Sequence, residues 1–159
     1  MLVGHNDDDV RLDIPVSKLS EGAVHEAGHA VTGELLGLRV TVVEIADGRL
    51  RCKCARRPID DRQDALYTLA GEKAENEILG SWGETPLAQD DRAGFRGLGP
   101  GAPDSNERRL WREAIELEAS NIVRSARVAI EEVARQLAQP PFKLSGPEVR
   151  RIMKAMKNR

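Results

Sequence analysis

The sequence predicts a mostly α-helical fold of the α+β class, in which one small β-hairpin lies beside the helices. Three observations support this prediction. Apolar residues recur at helical spacing in several stretches, which glycine and proline separate from one another. Residues 40–54 instead show the alternating period of a strand. Within them lies Asp47-Gly48, a dipeptide favoured in tight hairpin turns.

Composition and charge place the chain among globular proteins. Hydrophobic residues make up 40% and charged residues 31% of the sequence, which argues against general disorder. The formal net charge is −2 without a concentrated basic face, so nucleic acid is not an expected partner. No signal-peptide pattern or bilayer-length apolar run is present, so we expect a cytoplasmic protein without a membrane partner.

An arm followed by a helix is predicted at the N-terminus. Residues 1–16 begin with a polar, acidic stretch, so we expect a flexible arm there and a single domain over 17–159. Ser20 suits the N-cap of a helix, and Gly37 suits its C-terminal end. The apolar residues between and just beyond them recur at helical spacing: Val24, Ala27, Val31, Leu35 and Leu38.

The hairpin at 40–54 is predicted to have one solvated and one buried face. After its turn, basic residues alternate with apolar ones, in the order Arg49, Leu50, Arg51, Cys52, Lys53 and Cys54. Two cysteines are too few for a disulfide scaffold, and no second pair completes a Cys-x-Cys metal site. We therefore interpret both cysteines as small hydrophobic residues that face inward.

A second helix and a long loop are predicted in the middle of the chain. The helix covers 61–79, and Gly71 interrupts it; such a glycine often marks the close approach of another backbone. Residues 80–104 are rich in glycine and proline, so we expect them to be largely loop. A short helical turn at about 90–96 is compatible with this prediction.

The C-terminal part is predicted to be helical. Asp104 and Glu107 have capping-box spacing and begin a third helix that extends to Gln139, with or without a break inside it. A last helix begins at Ser145, whose capping-box partner is Glu148.

Two of the three histidines lie in the first predicted helix, in the pattern His25-Glu26-x-x-His29. Positions i and i+4 share one helix face, so both imidazoles can point at one zinc ion, which binds nitrogen at about 2.0–2.1 Å. Glu26 is offset by one position, so it can accept a proton from zinc-bound water without ligating the metal. The pattern therefore predicts a zinc hydrolase. The alternative is a solvent-exposed helix face that happens to contain these residues.

A catalytic zinc needs a third protein ligand and an open position for water. His5 lies in the expected arm, and either cysteine would make a softer site than hydrolysis usually uses. Carboxylates further along the chain remain, although most carboxylates simply lie at the surface. Spacing alone does not choose among these candidates: Glu72, Glu75, Asp90 and Asp91.

Several segments resemble a known family, the FtsH-type ATP-dependent zinc metalloproteases. "HEAGHAV" at 25–31 is similar to the segment that opens the active-site helix of that family's protease domain. "LAGEKAENEILG" at 69–80 resembles its second helix. "AQDD" at 88–91 resembles the end of a short loop whose last aspartate is the third zinc ligand. "KLSGPEVRRIM" at 143–153 resembles the end of the domain.

The resemblance implies a zincin-like metalloprotease domain, with a small sheet beside the active-site helix. It implies that His25, His29 and Asp91 hold Zn²⁺, with Asp90 as the second choice for the third ligand. Glu26 would be the base in the hydrolysis of peptide bonds of unfolded or extended polypeptides. In related zincins the substrate lies along an exposed sheet edge, and the predicted hairpin could supply that edge.

The sequence also departs from the family pattern. Arg92 follows the implied ligand, where the family has an aliphatic residue. The family joins this domain to a membrane anchor and an AAA+ ATPase, and we find neither, nor a G-x-x-x-x-G-K-[ST] phosphate loop. The expected partners are a polypeptide substrate and either a separate ATPase or further copies of the chain. The alternative function is a catalytically silent, zinc-binding relative that regulates a protease complex.

Overall fold

The computed structural model describes residues 14–46, 49–81 and 85–159. Over these residues it has six α-helices and one three-stranded antiparallel sheet, which confirms the predicted mostly α fold of the α+β class. None of the helices in the described ranges is long and apolar enough to cross a membrane. In chain order the elements are α1 Glu21–Leu35, β1 Val40–Ala46, β2 Arg49–Cys54, α2 Asp61–Ala74, α3 Pro86–Arg96, α4 Asn106–Ser125, α5 Arg127–Leu137, β3 Lys143–Ser145 and α6 Gly146–Met156.

Helix α1 lies at the centre of the packing. It contacts α2, α5 and the strands β1 and β2, and every residue from Ala23 to Gly33 is buried. The larger hydrophobic cluster surrounds it and includes Val24, Val31, Val43, Ile130, Val133 and Val149. A second cluster joins α2 to α3 and α4 through Leu66, Leu69, Phe95, Ile115 and Ala119. The helix with the two histidines is therefore the most enclosed element around which the others assemble.

The predicted arm lies mostly outside the described residues, which begin at Ile14. Ile14 and Val16 are partly buried and pack against the larger cluster, and the Ile14 carbonyl accepts a hydrogen bond from Arg135 Nε at 3.1 Å. A short 3₁₀ turn, Val16–Lys18, then leads into α1. The last residues of the predicted arm are therefore part of the packed protein.

The predicted ends of α1 are confirmed. The Ser20 side chain accepts a hydrogen bond from the backbone N–H of Ala23 at 3.1 Å, and Gly37 follows the helix with a φ of 76°. One residue of the predicted apolar stripe is not buried, since Leu35 is 49% exposed. Leu38, the last residue of the stripe and just beyond the helix, is buried as predicted.

The sheet confirms the hairpin and adds a strand to it. β1 and β2 pair antiparallel, with Ala46 opposite Arg49, while the predicted turn Asp47-Gly48 lies outside the described residues. Leu50, Cys52 and Cys54 are half-buried and alternate with exposed basic residues, as predicted. The strand β3 pairs with the other side of β1. It was not predicted, because three residues are too few to show the alternating period of a strand. The order β2-β1-β3 leaves β2 at the edge of the sheet.

The prediction of a largely loop segment at 80–104 was wrong for 86–96, where helix α3 lies, whereas 97–104 contain neither helix nor strand, as predicted. The Thr85 side chain accepts a hydrogen bond from the Ala88 N–H at 3.2 Å, and Pro86 occupies the first turn. These two residues are an ordinary helix start. The glycines and prolines around them suggested a loop, but they lie outside the helix or near its end.

The remaining helices differ from prediction in their details. α2 continues into a π-helical turn, Glu75–Leu79, and ends at Gly80 with a φ of 71°. α4 is capped by Ser105, not by Asp104, and the helical run breaks at Ala126 before α5 begins. The capping box of α6 between Ser145 and Glu148 is confirmed.

Gly28→Ala is expected to lower the free energy of unfolding by about 1–3 kcal/mol, because overpacking displaces neighbouring atoms. A Cβ at this position would lie 2.6 Å from the Ala70 carbonyl oxygen and from Ala74 Cβ, on the facing helix α2. Urea unfolding followed by circular dichroism measures the change. Gly94→Ala in α3 is the control, because its Cβ would come no closer than 3.6 Å to Thr68. Equal destabilisation by both substitutions would contradict close packing of α1 on α2.

Candidate metal centre

Three side chains from two helices meet at one point. His25 and His29 lie one turn apart on α1, and their Nε2 atoms are 3.1 Å apart. Asp91 on α3 brings its Oδ2 atom to 3.2 Å from His25 Nε2 and to 3.3 Å from His29 Nε2. Within the described residues, these three are the one cluster of His, Cys, Asp and Glu side chains whose atoms lie close enough together to bind a metal ion.

Hydrogen bonds on the far side of each ring orient the histidines. Tyr67 accepts a hydrogen bond from His29 Nδ1 at its backbone carbonyl, at 2.9 Å. Glu75 Oε1 accepts one from His25 Nδ1 at 2.5 Å. Because a carbonyl or a carboxylate can only accept, each Nδ1 carries a proton, and each Nε2 is the ring atom that points at the meeting point.

The meeting point suits a divalent cation such as zinc. Oδ2 of Asp91 is buried, and no N–H or O–H group of the described residues donates to it. Three electron-pair-bearing atoms that face one another repel unless positive charge lies among them. Ligand atoms at 2.0–2.1 Å around tetrahedral zinc lie about 3.3 Å apart, close to the three spacings observed here. Two imidazole nitrogens and one carboxylate oxygen are also ligand types that zinc prefers.

The electrostatics of the group favour positive charge. Burial opposes the imidazolium form of His25, but the neighbouring Asp91 and Glu75 outweigh burial and raise its pKa to about 9. Burial alone would raise the pKa of Asp91, yet contact with both histidines lowers it. The site therefore stabilises a carboxylate at Asp91 together with a bound cation or proton.

Glu26 lies next to these three residues, and its carboxylate could accept and release a proton. It is 5% exposed and lines a cavity of about 390 Å³ together with both histidines and Asp91. Burial raises the pKa of Glu26, and the nearby His29 and His25 partly offset this effect. Glu26 is not one of the three candidate metal ligands, so its carboxylate could contact a molecule bound in the cavity.

The rest of the cavity wall comes from the edge strand and two helices. β2 contributes Leu50, Arg51 and Cys52, while further lining residues are Tyr67, Thr68, Leu87 and Asp90. The hydroxyl of Tyr67 donates to the Cys52 carbonyl at 3.4 Å, so one side chain connects α2 to the edge strand. A molecule in this cavity would contact β2 and the candidate metal ligands together.

Gly71 makes room for His25. A Cβ at this position would lie 2.5–2.7 Å from the ring atoms of His25, so any side chain there would displace the imidazole. The sequence analysis expected a backbone to approach this glycine, whereas the structure shows a side chain of the candidate site. Gly71 thus sets the position of one ligand without touching a metal itself.

Ion pairs attach α3, and with it Asp91, to the rest of the site. Arg92 Nη2 donates to Glu72 Oε1 at 2.6 Å, and its Nη1 lies 2.6 Å from Glu116 Oε1 on α4. The Thr85 hydroxyl donates to Glu75 Oε2 at 2.7 Å. The arginine that departs from the family pattern therefore has a local role, because it joins α3 to α2 and α4.

The structure separates the residues that the sequence offered as third ligands. Asp91 faces the histidines, whereas Asp90 is exposed at the cavity rim. Glu75 lies behind His25, and Glu72 pairs with an arginine. His5 lies outside the described residues.

Sequence reasoning missed two residues of this site, Tyr67 and Thr85. Tyr67 acts on His29 through its backbone carbonyl, which leaves no trace in the residue type. Thr85 precedes a proline, and this helix-start signal could have drawn attention to it.

Comparison with known proteins adds no identification. No family model matches the chain, and the curated proteins contain no match to it. The resemblance noted from the sequence therefore stays a prediction, and the site geometry carries the functional argument.

Asp91→Asn is expected to reduce the zinc content of the purified protein strongly, because the third ligand loses its charge. Asp90→Asn, the adjacent substitution of the same chemistry, is expected to leave zinc content unchanged. Metal analysis after dialysis, with circular dichroism to verify folding, measures both. Zinc loss in Asp90→Asn with retention in Asp91→Asn would reverse the assignment of the third ligand.

Glu75→Gln is expected to weaken zinc affinity by about 10- to 100-fold, the usual effect of altering a group that orients a ligating histidine. Competition with a chromophoric chelator measures this affinity. Glu77→Gln provides the control, because the Glu77 carboxylate lies 3.7 Å from Arg124 and Arg127, away from the histidines. The same loss in both variants would mean that general charge, not the contact with His25, supports binding.

Proposed function

We propose that the protein is a zinc-dependent metalloendopeptidase that hydrolyses peptide bonds of unfolded or extended polypeptides. The observation that carries this proposal is the convergence of two Nε2 atoms and one carboxylate oxygen at 3.1–3.3 Å, beside a cavity that a buried glutamate also lines. A metal site meant only for structure is usually closed by four protein ligands. Among the described residues the group has three, which leaves one position for water or substrate.

Each residue of the site has a distinct role in this proposal. His25, His29 and Asp91 hold zinc, which when bound lowers the pKa of water and polarises a peptide carbonyl. The Glu26 carboxylate accepts a proton from the attacking water and passes it to the leaving amine. Its raised pKa suits both steps, since it can take up and release a proton.

The edge strand supports a polypeptide as the substrate. Within 14–46, 49–81 and 85–159, β2 pairs with β1 on one side only, and it forms part of the cavity wall beside the candidate ligands. An extended peptide can add to such an edge as a further strand, with its main chain held by strand hydrogen bonds. Folded proteins seldom present a free extended segment, so unfolded chains are the expected substrates.

A zinc-binding module without catalysis is the second candidate function. The observation that favours it is an apolar stripe on α4, where Leu110, Ala114 and Leu117 share one face and are exposed. A stripe of this kind is typical of a surface that contacts another protein. In this reading the protein regulates a protease complex, and Glu26 is not needed.

Glu26→Gln is expected to reduce hydrolysis of unfolded casein by about 10²- to 10⁴-fold, because the amide cannot accept a proton. Zinc content should stay at the wild-type level, since Glu26 is not a ligand. Gel electrophoresis of the products and metal analysis measure the two effects. Glu113→Gln, an exposed residue on α4, is the control and should retain full activity.

Two results would overturn the protease proposal. Zinc content near zero in protein prepared without chelators would remove the metal from the mechanism. Full zinc content without hydrolysis of casein by the wild type would favour the module without catalysis.

A further inference from the structure

The edge strand has an unusual charge distribution. Five of the nine residues from 49 to 57 are basic, and all five are exposed: Arg49, Arg51, Lys53, Arg56 and Arg57. The first three lie on the same face of β2, because successive side chains of a strand alternate between its two faces. The opposite face, with Leu50 and the cysteines, turns toward the protein interior.

Most of this charge is not neutralised within the described residues. Glu44 on β1 lies opposite Arg51 and forms an ion pair with it, and Lys143 of β3 also approaches Glu44 at 3.8 Å. Arg49 lies opposite Ala46, and Lys53 lies opposite Val42, so neither has an acidic cross-strand partner. Within the described residues, the outer face of β2 therefore carries unneutralised positive charge at Arg49 and Lys53, on either side of the Arg51–Glu44 pair.

The unpaired edge of β2 determines which side chains of an added peptide strand would face these basic residues. A peptide strand added at that edge places alternate side chains on the same outer face, opposite the basic residues. Opposite charges at such positions stabilise strand pairing, and like charges weaken it. An added strand with acidic residues at every second position therefore matches Arg49, Arg51 and Lys53.

We propose that the edge strand β2 selects extended polypeptide segments with Asp or Glu at alternate positions. This inference rests on the proposed protease function, because it names the substrate class of that cavity, whose wall includes Arg51. A peptide strand suits the surface better than a nucleic acid does. The hairpin strands and residues 55–57 contain no aromatic side chain on which bases could stack, whereas a sheet edge offers hydrogen bonds to a peptide main chain.

Binding is tested with full-length, zinc-loaded Glu26→Gln protein, so that a bound peptide is not hydrolysed. The probes are two fluorescent eight-residue peptides that alternate threonine with glutamate or with lysine. Opposite-charge pairs at Arg49 and Lys53, set against like-charge pairs with the other peptide, predict that the glutamate peptide binds about tenfold more tightly than the lysine peptide. Raising the salt concentration should reduce this difference. Equal affinities, measured by fluorescence anisotropy, would overturn the proposal.

Paired variants locate the selecting residues. Arg49→Glu combined with Lys53→Glu should abolish or reverse the preference for the glutamate peptide. Arg151→Glu combined with Lys154→Glu is the control, since it makes the same change in net charge on the exposed side of α6. A preference that persists in the β2 variant, or is lost equally in the α6 variant, would overturn the proposal.

Two further probes test strand pairing and the nature of the partner. A glutamate peptide with N-methyl groups on alternate backbone nitrogens should bind weakly, because it cannot form the strand hydrogen bonds. Undiminished binding of this peptide, or tighter binding of a single-stranded oligonucleotide, would overturn the proposal.

Casein hydrolysis by the wild type distinguishes failure of the proposed substrate class from failure of the proposed protease function. Hydrolysis without a charge preference contradicts only the substrate class, and a charge preference without hydrolysis contradicts only the protease.

Discussion

Three electron-rich atoms that face one another in a largely buried site are the constraint on which this structure depends. The Nε2 atoms of His25 and His29 and the Oδ2 atom of Asp91 lie 3.1–3.3 Å apart. At this spacing their lone pairs repel unless a proton or a metal cation lies among them, and burial weakens screening of this repulsion by solvent. A cation among them converts repulsion into attraction. The surrounding elements must therefore hold these three side chains in place.

The fold meets this constraint by fixing each ligand from behind. Glu75 and the Tyr67 carbonyl hold the two imidazoles, and Gly71 leaves the space that His25 fills. In the part of the chain that the structure describes, Asp91 Oδ2 has no hydrogen-bond donor behind it, and its helix is held through the ion pairs of Arg92 with α2 and α4. Helix α1, which carries both histidines, is accordingly buried along most of its length.

Tyr67 connects the sheet edge to the candidate metal centre. Tyr67 contacts both, because its carbonyl accepts a hydrogen bond from His29 and its hydroxyl donates to the Cys52 carbonyl on β2. The ligand side of the cavity is acidic, with Glu26 and Asp91, while Arg51 on the strand side is basic. An acidic peptide would be attracted by the strand and kept away from the carboxylates except where the metal offsets their charge. This separation of charge would orient a chain along the strand.

The sequence by itself determined the features that depend on neighbouring residues. Ser20 and Ser145 cap helices through contacts three residues away, and the i, i+4 spacing alone put both histidines on one helix face. A strand as short as β3, and a helix start at Thr85 among glycines and prolines, escaped this local reasoning. The tertiary structure decided that Asp91, not Glu75, faces the histidines. Both are carboxylates on helices. The packing of α2 and α3 against α1 places Glu75 at Nδ1 of His25 and Asp91 at Nε2 of the same ring.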